Sequence, residues 1–302
     1  MTELATLVAA ELAQPVDPRV SEFAAVLAAR YPDAAEAVLF YGSCLWSRQI
    51  DGLMLDFYLI VDDYGRTYPA RWLQIANRLL PPNVFYIEHA GMRAKYAVLS
   101  RADFTRLCSA RTFNVSVWAR FAQPSALVWA SNDAARSAAV TAITGAAPAL
   151  LAAARPVLGR TISLRSLWTD AFAATYGAEL RAEKATRGMA LFDTAPDRYR
   201  AFTAPALAGA NLAATIDGDM VGFTEPPQGS GHWWLRRTQG KFLSVARLVK
   251  AAFTFDGGID YLAWKIERHS GVPVPISEWQ RRHPLLASVS LVPRLLWKKA
   301  IV

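Results

Sequence analysis

A glycine-serine pair, Gly42-Ser43, interrupts an apolar run that starts at Leu39, and Asp56 opens a second apolar run that ends at Asp62. That order suits phosphate chemistry. Backbone N–H groups at a glycine turn leading into a helix can face phosphate oxygens. An aspartate on a neighbouring strand can hold magnesium against the same phosphates. Gly42 and Ser43 are then nucleotide-binding residues, with Ser43 a phosphate ligand rather than a nucleophile, and Asp56 is both the metal ligand and the first catalytic candidate. A glycine-serine pair with a later aspartate is common by chance, so other residues must share the work.

Enzymes that transfer nucleotidyl groups often carry two aspartates separated by one residue at this point, whereas this chain has Met54 where the first would fall. Two-metal chemistry wants several carboxylates. Glu88, ending Val84-Phe-Tyr-Ile-Glu, is a second candidate metal ligand or an exposed strand-end charge, while Glu179 at helical spacing reads as an ordinary surface charge. Asp62 and Asp63 read as turn caps. Lys95 can reach a triphosphate as a point charge. Arg120 lies among apolar neighbours and needs an anionic partner. Cys44, beside the Gly-Ser pair, reads as a small buried residue rather than a reactive thiol. With only Cys44 and Cys108 in the chain, neither a disulfide framework nor a cysteine metal cluster can be built.

The last block differs in kind. Lys241, Arg247 and Lys250 are interleaved with apolar residues up to Phe255, and Trp264, Lys265 and Arg268 continue the pattern. Trp297 stands beside Lys298 and Lys299 near the end. Cations among aromatics suit a phosphate-bearing ligand or a membrane interface, as well as an ordinary solvated helix face. Lys241, Arg247 and Lys250 are candidates for a lipid phosphate.

These residues need elements to hold them. Short apolar runs bounded by turn residues predict strands at Ala35–Tyr41, Met54–Val61, Val84–Glu88 and Ala94–Leu99, with Gly91 turning the last two. Helical patterns cover residues 3–31, broken at Pro15 and Pro18, and Arg71–Leu80, stopped by Pro81-Pro82. Beyond Ser100 the chain reads as helical over Ala102–Ser109, Ser125–Ala154 and Ser163–Ala190. Residues 195–231 read as a linker with short elements, and a basic helix begins near Lys241. The expected plan is an α/β head at 1–110, a mostly helical second domain at 111–230 and a basic aromatic region at 231–302. Hydrophobic residues make up 53% and charged ones 19% of the 302 residues, so the chain folds around a sizeable core. A net charge of +8 favours anionic partners. The alanine-rich stretch from Ser137 to Ala154 reads as a soluble helical hairpin rather than a membrane span. The acidic start of the chain lacks a signal-peptide pattern.

Taken together, these segments resemble the mitochondrial translocator assembly and maintenance family of peripheral phosphatidate cytidylyltransferases. Tyr41-Gly-Ser43 resembles the family's Tyr-Gly-Ser turn, Leu55-Asp-Phe its aspartate strand, and Ala94-Lys-Tyr-Ala-Val its Lys-Tyr-Gly-Val segment. Arg120 to Pro124 is similar to Gly-Arg-Leu-x-Lys-Pro, with Ala119 and Gln123 substituted. Tyr176 to Arg181 is similar to Tyr-x-Gly-Asp-x-Arg, with Glu179 for the aspartate, which implies Glu179 as a further metal ligand. Gln239-Gly-Lys, Lys250-Ala-Ala-Phe-Thr-Phe and Tyr261-Leu-Ala-Trp-Lys resemble the family's C-terminal motifs. The resemblance implies a nucleotidyltransferase-like α/β head, a winged-helix-like second domain and basic C-terminal helices that face a membrane. It implies transfer of a cytidylyl group from CTP to phosphatidic acid with Mg2+, at the inner face of a membrane that the protein meets peripherally from the cytoplasm. No nucleic-acid partner is expected. The alternatives are a nucleotidyltransferase for another phosphorylated lipid, metabolite or nucleic acid, and a non-catalytic membrane adaptor of the same fold.

Overall fold

A computed structural model describes residues 2–178, 187–226, 231–254 and 276–279. The first helix, α1 (Glu3–Leu12), is started by the Thr2 hydroxyl, which accepts the Ala5 amide at 3.3 Å, and it buries Leu4, Val8 and Leu12 at helical spacing. Asp17 caps α2 (Pro18–Ala29), whose proline sits where no amide donor is needed. Then follow β1 (Ala35–Tyr41), α3 (Ser43–Ser47), β2 (Met54–Val61), α4 (Tyr64–Thr67), α5 (Arg71–Leu79), β3 (Asn83–His89) and β4 (Met92–Ser100). Ala90 and Gly91, both at positive φ, turn β3 into β4. The chain continues through α6 (Arg101–Leu107), α7 (Trp118–Phe121), β5 (Ser125–Ala130), α8 (Asp133–Thr144) and α9 (Ala146–Ala154). A second layer holds β6 (Thr161–Ser163), α10 (Leu164–Tyr176), α11 (Arg187–Thr194), α12 (Pro196–Gly209), β7 (Ala214–Asp217), β8 (Met220–Phe223) and α13 (Gly231–Thr254).

The first five strands form a mixed sheet in the order β3-β4-β2-β1-β5, with β2 and β4 parallel and every other pair antiparallel. Both faces are covered, which is why the strands read as unbroken apolar runs. Val38, Phe40, Phe57, Leu59 and Val98 pack with Phe23 and Leu27 of α2. Leu39, Tyr58, Ile60, Ala97 and Leu99 point the other way, into a larger core that runs from Leu4 through α6–α10 and α12 to Trp233 of α13. The result is a mixed α/β domain with a five-stranded sheet and helices. A three-stranded antiparallel sheet, β6-β8-β7, lies farther along the chain.

Three elements differ from the sequence expectation. Ser125–Ala130 is the edge strand β5, in register with β1 from Ala37↔Ala130 to Tyr41↔Ser125; the alanine-rich helices behind it mask a short Leu-Val-Trp strand. The expected linker at 195–231 contains the fourteen-residue helix α12, with Pro196 in its first turn and Pro205 inside, and the β7–β8 hairpin. The basic helix starts at Gly231, and a Cβ on Gly240 would run into the Ala178 carbonyl. The stretch Asp133–Val157 is long and apolar enough to cross a membrane by length and composition. It contributes Ala142, Ile143, Leu150, Leu151 and Ala154 to the larger core, with α8 and α9 joined at Gly145.

Candidate functional site

A row of side chains crosses the five-stranded sheet. Tyr86 on β3 lies opposite Lys95 on β4, Lys95 opposite Asp56 on β2, Asp56 opposite Tyr41 on β1, and Tyr41 opposite Ser125 on β5. Residues opposite one another across strands share a face. Asp56 Oδ1 lies 3.0 Å from Lys95 Nζ, an ion-pair distance, yet that oxygen is buried and accepts no well-directed hydrogen bond. The other oxygen, Oδ2, faces Gly42, where an added Cβ would come within 3.0 Å of it.

Gly42 has φ 88° and ψ −166°, a conformation open in practice to glycine alone. It lets the backbone leave β1 and turn directly into α3, with Ser43 exposed as the first helical residue. Cys44 is buried behind the turn and donates to the Met54 carbonyl at 3.6 Å. Burial first, then the Asp56 charge, pushes its thiol up, so Cys44 is a packing residue.

On the β1 side, α7 covers the row: Phe121 packs on Tyr41 and Tyr58, at centroid distances of 6.1 and 5.1 Å. Burial pushes the Tyr41 phenol up, Asp56 adds to the effect, and the nearby Arg120 and Lys95 charges oppose it. Arg120 also donates to the Ser116 carbonyl. Gly42, Ser43, Asp56, Lys95 and Arg120 therefore gather at one end of the sheet.

Other expected residues lie elsewhere. Glu88 is opposite Arg93, which is opposite Met54, so Glu88 is two strands from the Asp56 strand, about 10 Å away laterally. Its carboxylate accepts the Tyr86 hydroxyl. The fold does not bring it beside Asp56. Lys241 is exposed on α13. Arg247 Nε donates to the Pro81 carbonyl at 2.9 Å, and Lys250 Nζ donates to the carbonyls of Leu80 and Pro82. These two cations hold the turn before β3, at the end of the sheet remote from Lys95. Glu179, Arg181, Lys265, Trp264, Arg268, Trp297, Lys298 and Lys299 lie outside the described residues. Among the described residues, no group of three or more His, Cys, Asp or Glu is placed to hold a metal.

Tyr86 and Ser125, which the sequence did not single out, complete the row with Tyr41, which it offered only as the start of the Tyr-Gly-Ser turn. Their signal is positional: Tyr41 ends its strand immediately before the glycine turn. Arg93, two residues before Lys95 and on its face, adds a further cation and reaches the Gly52 carbonyl at 3.4 Å. One inward carboxylate paired with Lys95, with Arg120 near the adjoining Tyr41, Arg93 on the same face of β4 and a glycine turn beside it, is equipped to receive a polyanion and one hard cation travelling with it. A scan against protein-family models found no match, and no curated protein matches the chain.

Proposed function

We propose that the protein transfers a cytidylyl group from CTP to phosphatidic acid, giving CDP-diacylglycerol and pyrophosphate at a membrane surface. The observation that carries this reading is the placement of Asp56 between the Gly42 turn and Lys95. A strand, a glycine turn, a short helix and a second strand bearing an aspartate form the order in which nucleotidyltransferase-like folds hold a triphosphate. The mixed sheet is compatible with that fold, and the β6-β8-β7 sheet beside α10 supports a winged-helix-like second region. The choice of CTP and phosphatidic acid rests on the resemblance of the motifs from Tyr41 to Lys265.

In this reading a phosphate oxygen of the lipid attacks the α-phosphorus of CTP, and the bond to the departing pyrophosphate breaks in line. The attacking oxygen is already ionised near neutral pH, so the chain needs no general base. Its residues align the reactants and offset charge. The Gly42 turn and Ser43 hold the triphosphate. Lys95 leaves Asp56 for a phosphate oxygen, and Arg120 steadies the leaving group. Asp56 fits a magnesium ion that arrives with the nucleotide, because such an ion takes one or two carboxylates together with substrate phosphates. Its buried Oδ1 is an acceptor with no competing hydrogen bond. Magnesium bound there would neutralise phosphate charge. Glu88 does not fit as a second ligand of that ion, and Arg247 and Lys250 are committed to the 80–82 carbonyls rather than to a lipid phosphate.

Met54 favours a second reading. It occupies Asp56's face of β2, two residues away, with a thioether where a second carboxylate would assist a metal. A non-catalytic membrane adaptor of the same fold would tolerate that change. The test is incubation of the purified protein with radiolabelled CTP, magnesium and phosphatidic acid in mixed micelles. Label in the lipid phase that disappears with Asp56→Ala supports transfer and site together. Nucleotide binding without lipid label redirects the search to another phosphorylated acceptor. Absence of nucleotide binding favours the adaptor.

A further inference from the structure

Helix α5 turns most of its large apolar side chains outward. Its inward face sets Leu73 against the core and is otherwise held by polar side chains: the buried Asn77 donates to the Val98 carbonyl at 3.0 Å and accepts the Asn83 amide, while Gln74 donates to the Tyr68 carbonyl at 2.7 Å. These bonds tie the helix to β3, β4 and the preceding loop. Its outward face is apolar, with Trp72 50%, Ile75 54% and Leu79 80% exposed. At 100° per residue the three form one stripe, and the exposed Arg71 and Arg78 line a single edge of it. A soluble helix ordinarily buries such a stripe, and the inward hydrogen bonds fix this one so that it cannot roll its apolar stripe into the core.

We propose that this face of α5 is the docking surface for an anionic phospholipid bilayer. The charge pattern selects that occupant. Tryptophan and branched aliphatic side chains enter the boundary between headgroups and acyl chains, while arginines at the edge extend to lipid phosphates. Arg78 also lies 3.7 Å from Asp63, an exposed contact that is exchanged readily for a phosphate. Nine residues insert shallowly, so α5 acts as an interfacial anchor and not as a span. The contact is on a helix outside the basic region at 231–302, although α13 reaches the turn that ends α5 through Arg247 and Lys250.

The test uses the full chain carrying Ile75→Cys, labelled with an environment-sensitive fluorophore; both native cysteines are buried and label poorly. Vesicles of equal parts phosphatidylglycerol and phosphatidylcholine should shift the emission to the blue, and lipids bearing a quencher near the headgroup should quench it. Trp72→Ser with Leu79→Ser should weaken vesicle binding of the labelled protein at least tenfold with unchanged circular dichroism. Arg71→Gln with Arg78→Gln should remove the preference for anionic over neutral vesicles. Unshifted emission on vesicle-bound protein would overturn the proposal by placing the contact elsewhere. So would a blue shift that grows with protein concentration without vesicles, which would assign the face to a second copy of the chain. Docking is read without turnover, so an inserted α5 on a protein that transfers nothing from CTP keeps this proposal and ends the catalytic one.

Discussion

The backbone of Gly42 and the carboxylate of Asp56 are packed so closely that a single added carbon on the glycine would lie 3.0 Å from Oδ2. The same residue holds φ 88° and ψ −166°. Gly42→Ala therefore meets a backbone cost of about 1–3 kcal/mol, and it also presses on the carboxylate that the proposed chemistry needs. Urea unfolding should report the first effect. CTP turnover, measured where the variant remains folded, should fall at least about tenfold, a loss of the order expected when a reacting group is displaced by a fraction of an ångström. Wild-type turnover would separate the turn from the site.

Asp56 and Lys95 meet at 3.0 Å with side chains 20% and 33% exposed. The more buried partner suffers more when left alone. Lys95→Met should thus destabilise more than Asp56→Asn, and the double variant should be less destabilised than the sum of the two by about 1 kcal/mol. Asp56→Asn should lower magnesium-dependent turnover by about a hundredfold, the scale of losing one preorganised charge partner, with little change in unfolding midpoint. Strict additivity in the cycle would show that the two groups do not interact in solution.

Strands β1 and β2 were legible to the residue, at Ala35–Tyr41 and Met54–Val61, because a sheet covered on both faces leaves continuous apolar runs between turn residues. The Gly42 turn and Asp56 were legible for the same reason: each interrupts such a run. Their neighbours were not. Lys95 comes to Asp56 only through the parallel register of β2 and β4, set by a crossover through α4, α5 and β3 that leaves no local trace. Arg247 and Lys250 looked like free cations because nothing in a helix sequence announces carbonyls held out by Leu80, Pro81 and Pro82. Residues 125–130 read as helix because Ala-rich neighbours outweighed a six-residue strand whose main support is pairing with β1.

Glu11 on α1 and Arg198 on α12 form a largely buried ion pair, 13% and 11% exposed, that fastens the second layer to the first helix. Arg198 also donates to the Ala122 carbonyl at 2.9 Å and lies over the rings of Tyr199 and Phe202. Removing one partner strands the other charge among apolar groups, so Glu11→Gln and Arg198→Met should each cost about 3–5 kcal/mol in urea unfolding. Replacing both with methionine should cost less than either single change. A double variant as unstable as the sum would mean that packing, and not the pair, holds α12.

Lys250 is held at about 7, far below the ordinary lysine value, by burial first and by the Arg247 charge second. The sign follows from proton counts. Between about pH 7 and the ordinary value of about 10.4 the unfolded chain holds this proton and the folded chain has released it, so stability rises with pH through that window. Below pH 7 both states carry the charge and the folded state bears the full cost of burying it. Thermal unfolding of the native chain should therefore shift upward between pH 6 and 9 relative to Lys250→Met, in which this contribution is absent. The carbonyls of Leu80 and Pro82 define what else must happen: as the ammonium loses its proton, the amine still has two hydrogens for two acceptors, so α13 stays docked on the turn. Parallel pH profiles for the native chain and Lys250→Met would show that the amine is solvated, and would detach α13 from the 80–82 carbonyls.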